Sequence, residues 1–371
     1  MNTLKIIVLL SALIIVSLSA AYGRQAEDSD PAEQARNQTS DGENSAAENA
    51  SPWLFVPIFS NAPKLGTSLG AMGAYLHQFD DGSPTSTFGV MGTYSNTESV
   101  AIAAFSRMYF DQDKQRLLFG AMQGEVNNEY SDFLGTGYEV KTTDEIYAIF
   151  SRYLYGIKDD WYLGPQVLST NYAISGNDYF SQGFLERIGL TGFNSNGVGM
   201  VLERDTRNDQ NSPESGSWLN FNNVAYRKGL GGDYSFDAYA VTAAMFFRHA
   251  KSNILAARID GRWTHDAPAG GYSTVRLRGY TMGQYLAPHA TLIELEERYV
   301  IKNRLGGTLF AGVASLYGDD LGVFDRDNLY PSIGAGITYV LKVEDKMIAR
   351  FEAARGEGEN YGFYLKLGYE F

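Results

Sequence analysis

The sequence predicts an all-β protein, a transmembrane antiparallel β-barrel of about sixteen strands of the outer-membrane type. Three observations lead there. Near the carboxyl end, Phe363, Leu365, Leu367, Tyr369 and Phe371 alternate with Gly362, Tyr364, Lys366, Gly368 and Glu370, so one face of a strand meets something apolar. Short alternating segments of this kind recur between turn clusters along most of the chain. An export signal opens the chain, and no later stretch is apolar for long enough to form a membrane helix.

At the amino end, Lys5 precedes an apolar run from Ile6 to Ala21, with small residues at Ser17, Ser19, Ala21 and Gly23. One basic residue, a short apolar core and a small-residue exit describe a cleavable signal peptide over residues 1–23. The run falls short of the ~20 residues that a membrane-spanning anchor needs. Residues 24–50 carry no aromatic and no Leu, Ile or Val. Such a stretch buries too little apolar surface to offset its ordering entropy and reads as a disordered acidic linker. The composition changes at Ser51, with Trp53, Leu54, Phe55 and Val56, and stays uniform to Phe371. Residues 51–371 are therefore one barrel domain.

Within it, the first six expected strands are Leu65–His77, Thr87–Tyr94, Val100–Phe110, Leu117–Asn127, Glu145–Ile157 and Trp161–Ala173. Gly183–Phe193, Val198–Asp205, Trp218–Arg227, Tyr234–Arg248 and Ile254–His265 continue the series. Thr291–Lys302, Thr308–Tyr317, Ser332–Leu341, Met347–Arg355 and Gly362–Phe371 complete it. Each has about the ten residues with which a tilted strand crosses a bilayer, and the total is even, as closure requires. A soluble sandwich is disfavoured by aromatics at strand ends, such as Tyr109-Phe110, Trp161-Tyr162 and Phe246-Phe247, which suit interfacial girdles. It would also leave open sheet edges, which closure removes.

Composition narrows the function. The chain is 44% hydrophobic and 20% charged, with a mean hydropathy of −0.23. That is too polar for a helical bundle and ordinary for a barrel, in which half of each strand faces water. A net charge of −13 argues against nucleic acid as a partner. The absence of cysteine excludes disulfides, thiolate metal sites and a lipidated cysteine anchor. The histidines His77, His249, His265 and His289 are scattered, and no phosphate-binding loop occurs. Asp319-Asp320 and Asp325/Asp327 read as solvated loop acids, since their spacing lacks a calcium-ligand set. Neither enzymatic chemistry nor a cofactor nor a metal is expected.

The chemistry that does stand out is electrostatic. Arg276 and Arg278 lie in the longest interruption of the second half, Asp266 to Ala290. In the segment that follows, Glu294, Glu296 and Arg298 fall on one strand face, and Ile293, Leu295, Tyr299 and Ile301 on the other. Charge on a lipid face costs several kcal/mol at mid-depth, so the carboxylates point into the lumen. A loop arginine folded inward is expected to pair with Glu296. Glu297 breaks the outward pattern, which places it near an interface. Asp205-Thr206-Arg207, with Pro213 and Gly216 beyond, reads as structural turn chemistry.

Arg278-Gly279-Tyr280 resembles the Arg-Gly-aromatic loop tip of the BamA/TamA family of outer-membrane assembly proteins, the bacterial surface antigens. Glu296-Glu297-Arg298 resembles that family's Glu-x-Arg strand, and Asp205-Thr206-Arg207 with Pro213 and Gly216 its mid-barrel turn. The terminal strand resembles the family's assembly signal, carried by Leu367, Tyr369 and Phe371. The motifs occur in family order between Gly197 and Phe371. Two departures stand beside them. Gly312 takes the place of an inward aspartate in the strand after Glu296, which implies a weaker latch. The stretch 24–50 is too short for a periplasmic POTRA domain, so the chain resembles a member reduced to its barrel.

The resemblance implies an outer-membrane protein, expected as a monomer, that helps insert or move proteins or lipids. Its partners would be outer-membrane lipid and client barrel proteins or assembly machinery. Leu65–His77 and Gly362–Phe371 would form a weak seam, and Arg278, Gly279, Tyr280, Glu296 and Arg298 a lumenal latch. The alternative reading is a passive pore or structural barrel, for which inward charges suit a wet lumen equally well.

Overall fold

The computed structural model describes residues 51–371 apart from 63–65, 131–135, 188–191, 211, 251–252, 282, 319–321, 343–346 and 368–371. The expected signal peptide and linker, Asp319-Asp320, Tyr369 and Phe371 lie outside the described residues. The first seven strands are β1 (Trp53–Ala62), β2 (Gly66–His77), β3 (Ser86–Ser95), β4 (Val100–Phe110), β5 (Gln115–Tyr130), β6 (Val140–Lys158) and β7 (Trp161–Gly176). The helix α1 (Tyr179–Arg187) precedes β8 (Gly192–Asp205), β9 (Gly216–Tyr226), β10 (Phe236–His249) and β11 (Asn253–His265). Two short strands, β12 (Ser273–Thr274) and β13 (Leu286–Ala287), pair with each other inside the next loop. Then come β14 (His289–Lys302), β15 (Leu305–Tyr317), β16 (Leu329–Lys342), β17 (Met347–Arg355) and β18 (Tyr361–Leu367).

All but β12 and β13 form one closed barrel of sixteen antiparallel strands. Each pairs with its neighbours in the chain, and β18 returns to β1. Side-chain alternation drives the closure. Phe55, Leu69, Val90, Ile102, Ile293 and Ile333 point outward and are exposed, whereas Met72, Phe105, Glu296 and Arg350 point inward and are buried. No described helix is long and apolar enough to cross a membrane, and the apolar outer face is the surface that lipid solvates. Tight turns join the strands at one end. Asp159 and Asp160, both with positive φ (39° and 65°), link β6 to β7, the conformation that matches the twist of a two-residue hairpin.

The strand total agrees with the expectation, but two compensating errors lie inside it. Gly183–Phe193 is not a strand: α1 covers its first part, and β8 begins at Gly192. Asp178 starts that helix, its Oδ1 accepting from the Ser181 amide at 2.8 Å, an N-cap that the alternation does not reveal. The missing strand is β1. Trp53, Leu54, Phe55, Val56, Ile58 and Phe59 are apolar on both faces, so period-two alternation is absent. The seam therefore joins β1 to β18, and the expected partner segment, β2, is the second strand. β5, β6 and β7 run to 16, 19 and 16 residues, and their outward faces turn polar near α1 (Gln123, Glu125, Thr143, Glu145). This hairpin region projects beyond the apolar band.

The seam is thin. Among the described residues β1 pairs with β18 only at Ser60–Tyr364 and Asn61–Phe363. Among the described residues the pairing does not continue to Phe59, Ile58 and Pro57, which stand opposite Leu365, Lys366 and Leu367 in this register. Pro57 lies in the unpaired part of β1, and a residue without an N–H is tolerated in a sheet chiefly on such an edge.

Candidate functional site: a lumenal latch

The connection from β11 to β14, residues 266–288, folds into the barrel. Apolar packing holds it there: Val275, Leu277, Tyr280 and Ala287 are buried against Ala290 and Leu292 of β14 and Ala314 and Leu316 of β15. Gly279 turns the tip with φ +91°, and a Cβ there would lie 2.9 Å from the Gly356 amide nitrogen, so a side chain would be both strained and crowded. The Gly279 amide donates to Tyr364 Oη of β18 at 3.0 Å.

Arg278 is thereby aimed at three strands. Its Nε donates to Glu294 Oε1 at 2.9 Å, and its Nη1 to Glu296 Oε2 at 2.7 Å and to Glu352 Oε1 at 3.1 Å. The guanidinium lies 3.4 Å from the centre of the Phe310 ring on β15, a cation–π contact in a desolvated setting. Glu296 also accepts from Arg298 Nε at 2.7 Å, and Arg350 Nη1 bridges Glu296 and Glu352 at 3.5 and 3.2 Å. Arg258 of β11 adds a bond to Glu294 Oε2 at 2.9 Å. Glu294, Glu296 and Glu352 are each 2% exposed or less. Buried charges persist only when paired and hydrogen-bonded, which this network provides.

Tyr280 extends the latch sideways. Its hydroxyl donates to the Pro331 carbonyl at 2.7 Å and accepts from the Glu357 amide at 2.8 Å. Burial pushes that phenol up to about 12, because the neutral form is the one that can donate. Tyr285 and Tyr330 pack around it.

The mid-barrel turn motif joins the same network. Arg207 grips Asp205 in a two-point contact, Nε to Oδ1 at 2.8 Å and Nη2 to Oδ2 at 2.9 Å. Gly216 adopts φ +94°, and a Cβ there would overlap the Thr206 carbonyl. The Pro213 carbonyl accepts from Arg298 Nη1 at 3.1 Å. Thr206 Oγ1 bonds the Ser217 backbone. The turn thus holds itself and one latch arginine.

Several participants escaped the sequence reading. Arg350, Glu352, Phe310 and Tyr364 complete the latch from β15, β17 and β18. The expected weakness at Gly312 is answered by Glu352, a carboxylate supplied from a different strand. Gly312 itself makes room for the loop, since a Cβ there would lie 3.0 Å from Leu277 Cδ2. The spacing of Arg350 and Glu352, two apart in a strand, was the available signal. A second cluster was also missed: Arg116 of β5 holds Asp113 at 2.7 Å, Glu203 at 3.0 Å and Asp205 at 3.3 Å. Glu297 lies within β14, opposite Leu255 and Leu309, where it takes His249 Nε2 at 2.9 Å.

One Gly-x-Ser-x-Gly string occurs, Gly66-Thr67-Ser68-Leu69-Gly70. Ser68 lies inside β2, opposite Ser60 and Ser95, and lacks the strand-to-helix elbow that exposes a nucleophile. Among the described residues no group of His, Asp and Glu is placed to hold a metal ion.

With this geometry in place, similarity to solved structures is informative about the fold. BamA from Haemophilus ducreyi lacking POTRA domains 1–3 superposes with a TM-score of 0.56 at 11% identity, covering 86% of this chain and 71% of that one. CdiB from Acinetobacter baumannii gives 0.57 at 10% identity, covering 86% and 60%, and CdiB from Escherichia coli 0.58 at 10%, covering 86% and 64%. This chain spans under two thirds of the length of those two CdiB structures. No family model and no curated protein matches the sequence. The fold is that of an outer-membrane barrel of the BamA and CdiB kind.

Proposed function

We propose that this barrel assists the insertion or translocation of proteins, or of lipids, at the outer membrane. The observation that carries the reading is the contrast between seam and latch. β18 joins β1 through two residue pairs among the described residues, whereas Arg278 ties β14 to β17 from inside through three carboxylates. A barrel that is braced internally on one side and thinly paired on the other can part at the seam without losing its remaining strands. Unpaired backbone groups are costly in hydrocarbon, so a parted edge favours pairing with a client strand or a local disturbance of lipid. The mechanism is physical and needs no cofactor, and the barrel acts as a monomer. The likeness to BamA and CdiB supports it at the level of fold.

The test locks the seam. Asn61→Cys with Phe363→Cys places two thiols on directly opposed residues of a chain that has no other cysteine. The reduced protein in liposomes accelerates folding of a reporter barrel, and oxidation abolishes the gain reversibly. No acceleration by the reduced protein, together with steady ion-selective conductance in planar bilayers, would replace this reading with that of a passive pore.

A further inference from the structure

Most arginines inside this barrel have their charge answered. Arg116, Arg207, Arg258, Arg278, Arg298 and Arg350 each hold at least one carboxylate. On the wall opposite the latch two arginines do not. Arg107 of β4 and Arg152 of β6 lie in one inward row, Thr87, Arg107, Leu118, Arg152 and Gln166, read across β3 to β7. They are two strands apart, about 10 Å at ordinary strand spacing. Only Leu118 stands between them, so both side chains can turn toward one ligand.

Their hydrogen bonding is one-sided. Gln166 Nε2 donates to Asn222 Oδ1 at 3.2 Å and to the Asn223 carbonyl at 2.9 Å, which turns Gln166 Oε1 toward Arg152. Arg152 donates to that neutral oxygen through Nε at 3.2 Å and Nη2 at 2.8 Å. One edge of its guanidinium is thereby fixed. The other, Nη1 with the second hydrogen of Nη2, has no acceptor among the described residues. Neither Arg107 nor the hydroxyl of Thr87, directly opposite it, has a side-chain hydrogen bond or ion pair among the described residues. Glu203 of β8 is already engaged, accepting from Arg116 Nη1 at 3.0 Å and from Asn220 Nδ2 at 2.8 Å.

The two arginines also differ from the latch in contact with water. Both are partly exposed, whereas Arg298 and Arg350 are 2% exposed or less. Parity places that exposure in the lumen, since Ile102, Tyr147 and Tyr153 take the outer face. Arg107 stands three residues before Phe110, where β4 ends, about 10 Å inside the tight-turn end at the rise of a strand. A charge within a barrel wall needs a partner, and here two like charges repel each other as well. The missing element is an anion. Each guanidinium presents paired N–H groups in a fork that matches a phosphate or sulfate group, and Thr87 adds an O–H donor.

We propose that Arg107, Arg152 and Thr87 form a lumenal site for a phosphate-type oxyanion taken from the aqueous phase at the tight-turn end. Arg152, held by Gln166, presents the fixed edge of the site, and Arg107 closes on the anion from β4. This proposal is independent of any action on client proteins, because it requires only the folded barrel.

The test is equilibrium dialysis of the full chain, in dodecyl maltoside micelles and phosphate-free buffer, against radiolabelled inorganic phosphate. Saturable binding of a single phosphate per chain is expected. Half-saturation rises about tenfold or more in Arg107→Gln and in Arg152→Gln, as the loss of a charge-assisted fork requires. It stays unchanged in Arg276→Gln, which removes an arginine of the inserted loop. Heat-modifiable mobility verifies folding. Arg107→Gln decides alone if Arg152→Gln does not fold, because Arg107 has no side-chain partner among the described residues to lose. No saturable binding to the unaltered barrel, equal weakening in Arg276→Gln, or indifference to the Arg107 and Arg152 changes in a folded barrel overturns the proposal. Competition by phosphatidylglycerol added to the micelles, with phosphatidylcholine inert, would make a lipid headgroup the ligand and overturn the aqueous source.

Discussion

Arg298 of β14 donates to the carbonyl of Pro213 at 3.1 Å while its Nε holds Glu296. The two residues come from opposite ends of the barrel's design. Glu296 receives the loop that enters at one end, whereas Pro213 lies in the β8–β9 turn at the other, since these two connections differ by an odd number of strand crossings. A polar path therefore crosses the lumen from Arg278 through Glu296 and Arg298 to the turn, where Asp205 passes it to Arg116. The loop and the turn are parts of one internal brace.

Breaking the centre of that brace should be costly. Arg278→Ala leaves Glu294, Glu296 and Glu352 without their shared cation, and removal of one partner from a buried pair costs about 3–5 kcal/mol. Arg276 has no ion pair among the described residues, and its replacement by Ala should cost about 0.5 kcal/mol or less. Urea unfolding of the barrel in detergent, followed by heat-modifiable mobility, measures both. Equal, small effects would remove the latch from the account.

Glu352→Gln should weaken the same network, because it leaves Arg278 and Arg350 with one carboxylate fewer. Gly312→Asp places an acid on β15, two strands from β17, but should not rescue the loss. Its Cβ would press on Ile293 O at 2.8 Å and Leu277 Cδ2 at 3.0 Å. The double variant is expected to be no more stable than Glu352→Gln, and recovery of wild-type stability would show that the lumen tolerates both arrangements.

Alkali should loosen the loop through Tyr280. Its folded pKa of about 12 lies above the ~10 of an unfolded tyrosine. The stabilising contribution is therefore complete below the unfolded value and is lost as pH rises through the folded one. Barrel stability should fall across that interval, and Tyr280→Phe should flatten the fall while lowering stability at neutral pH. An identical alkaline slope in both proteins would assign it to other groups.

Amide exchange should report the seam. Protection in β1 from Leu54 to Phe59 is expected to fall well below that of β6, which is paired along its length on both sides. Local opening follows the least-paired edge. Uniform protection of β1 and β6 would mean that the β1–β18 seam does not open.

Much of this was legible in the sequence, and the misses are instructive. The inward positions of Glu294, Glu296 and Arg298 follow from parity alone, because charge facing lipid is prohibitive. β1 was hidden because a strand with two apolar faces shows no alternation, and α1 because it runs into Gly183–Phe193, a segment that reads as strand, while its cap Asp178 lies in the interval before it. Glu352 was overlooked although Arg350, two residues earlier on the same face, pairs with it, because its contact with Arg278 spans 74 positions of the chain.

The sequence by itself determined that the chain is a membrane β-barrel, that the segment Asp266 to Ala290 interrupts its second half, and which face of β14 is charged. These depend on local periodicity and on the cost of charge in hydrocarbon, both of which act residue by residue. Only the tertiary structure decided that β1 closes the barrel, that Glu352 replaces the acid absent at Gly312, and that Arg298 reaches Pro213. Those relationships bring together residues up to some three hundred positions apart in the chain. They depend on closure and register, and a one-residue slip of either would turn the same side chains toward lipid.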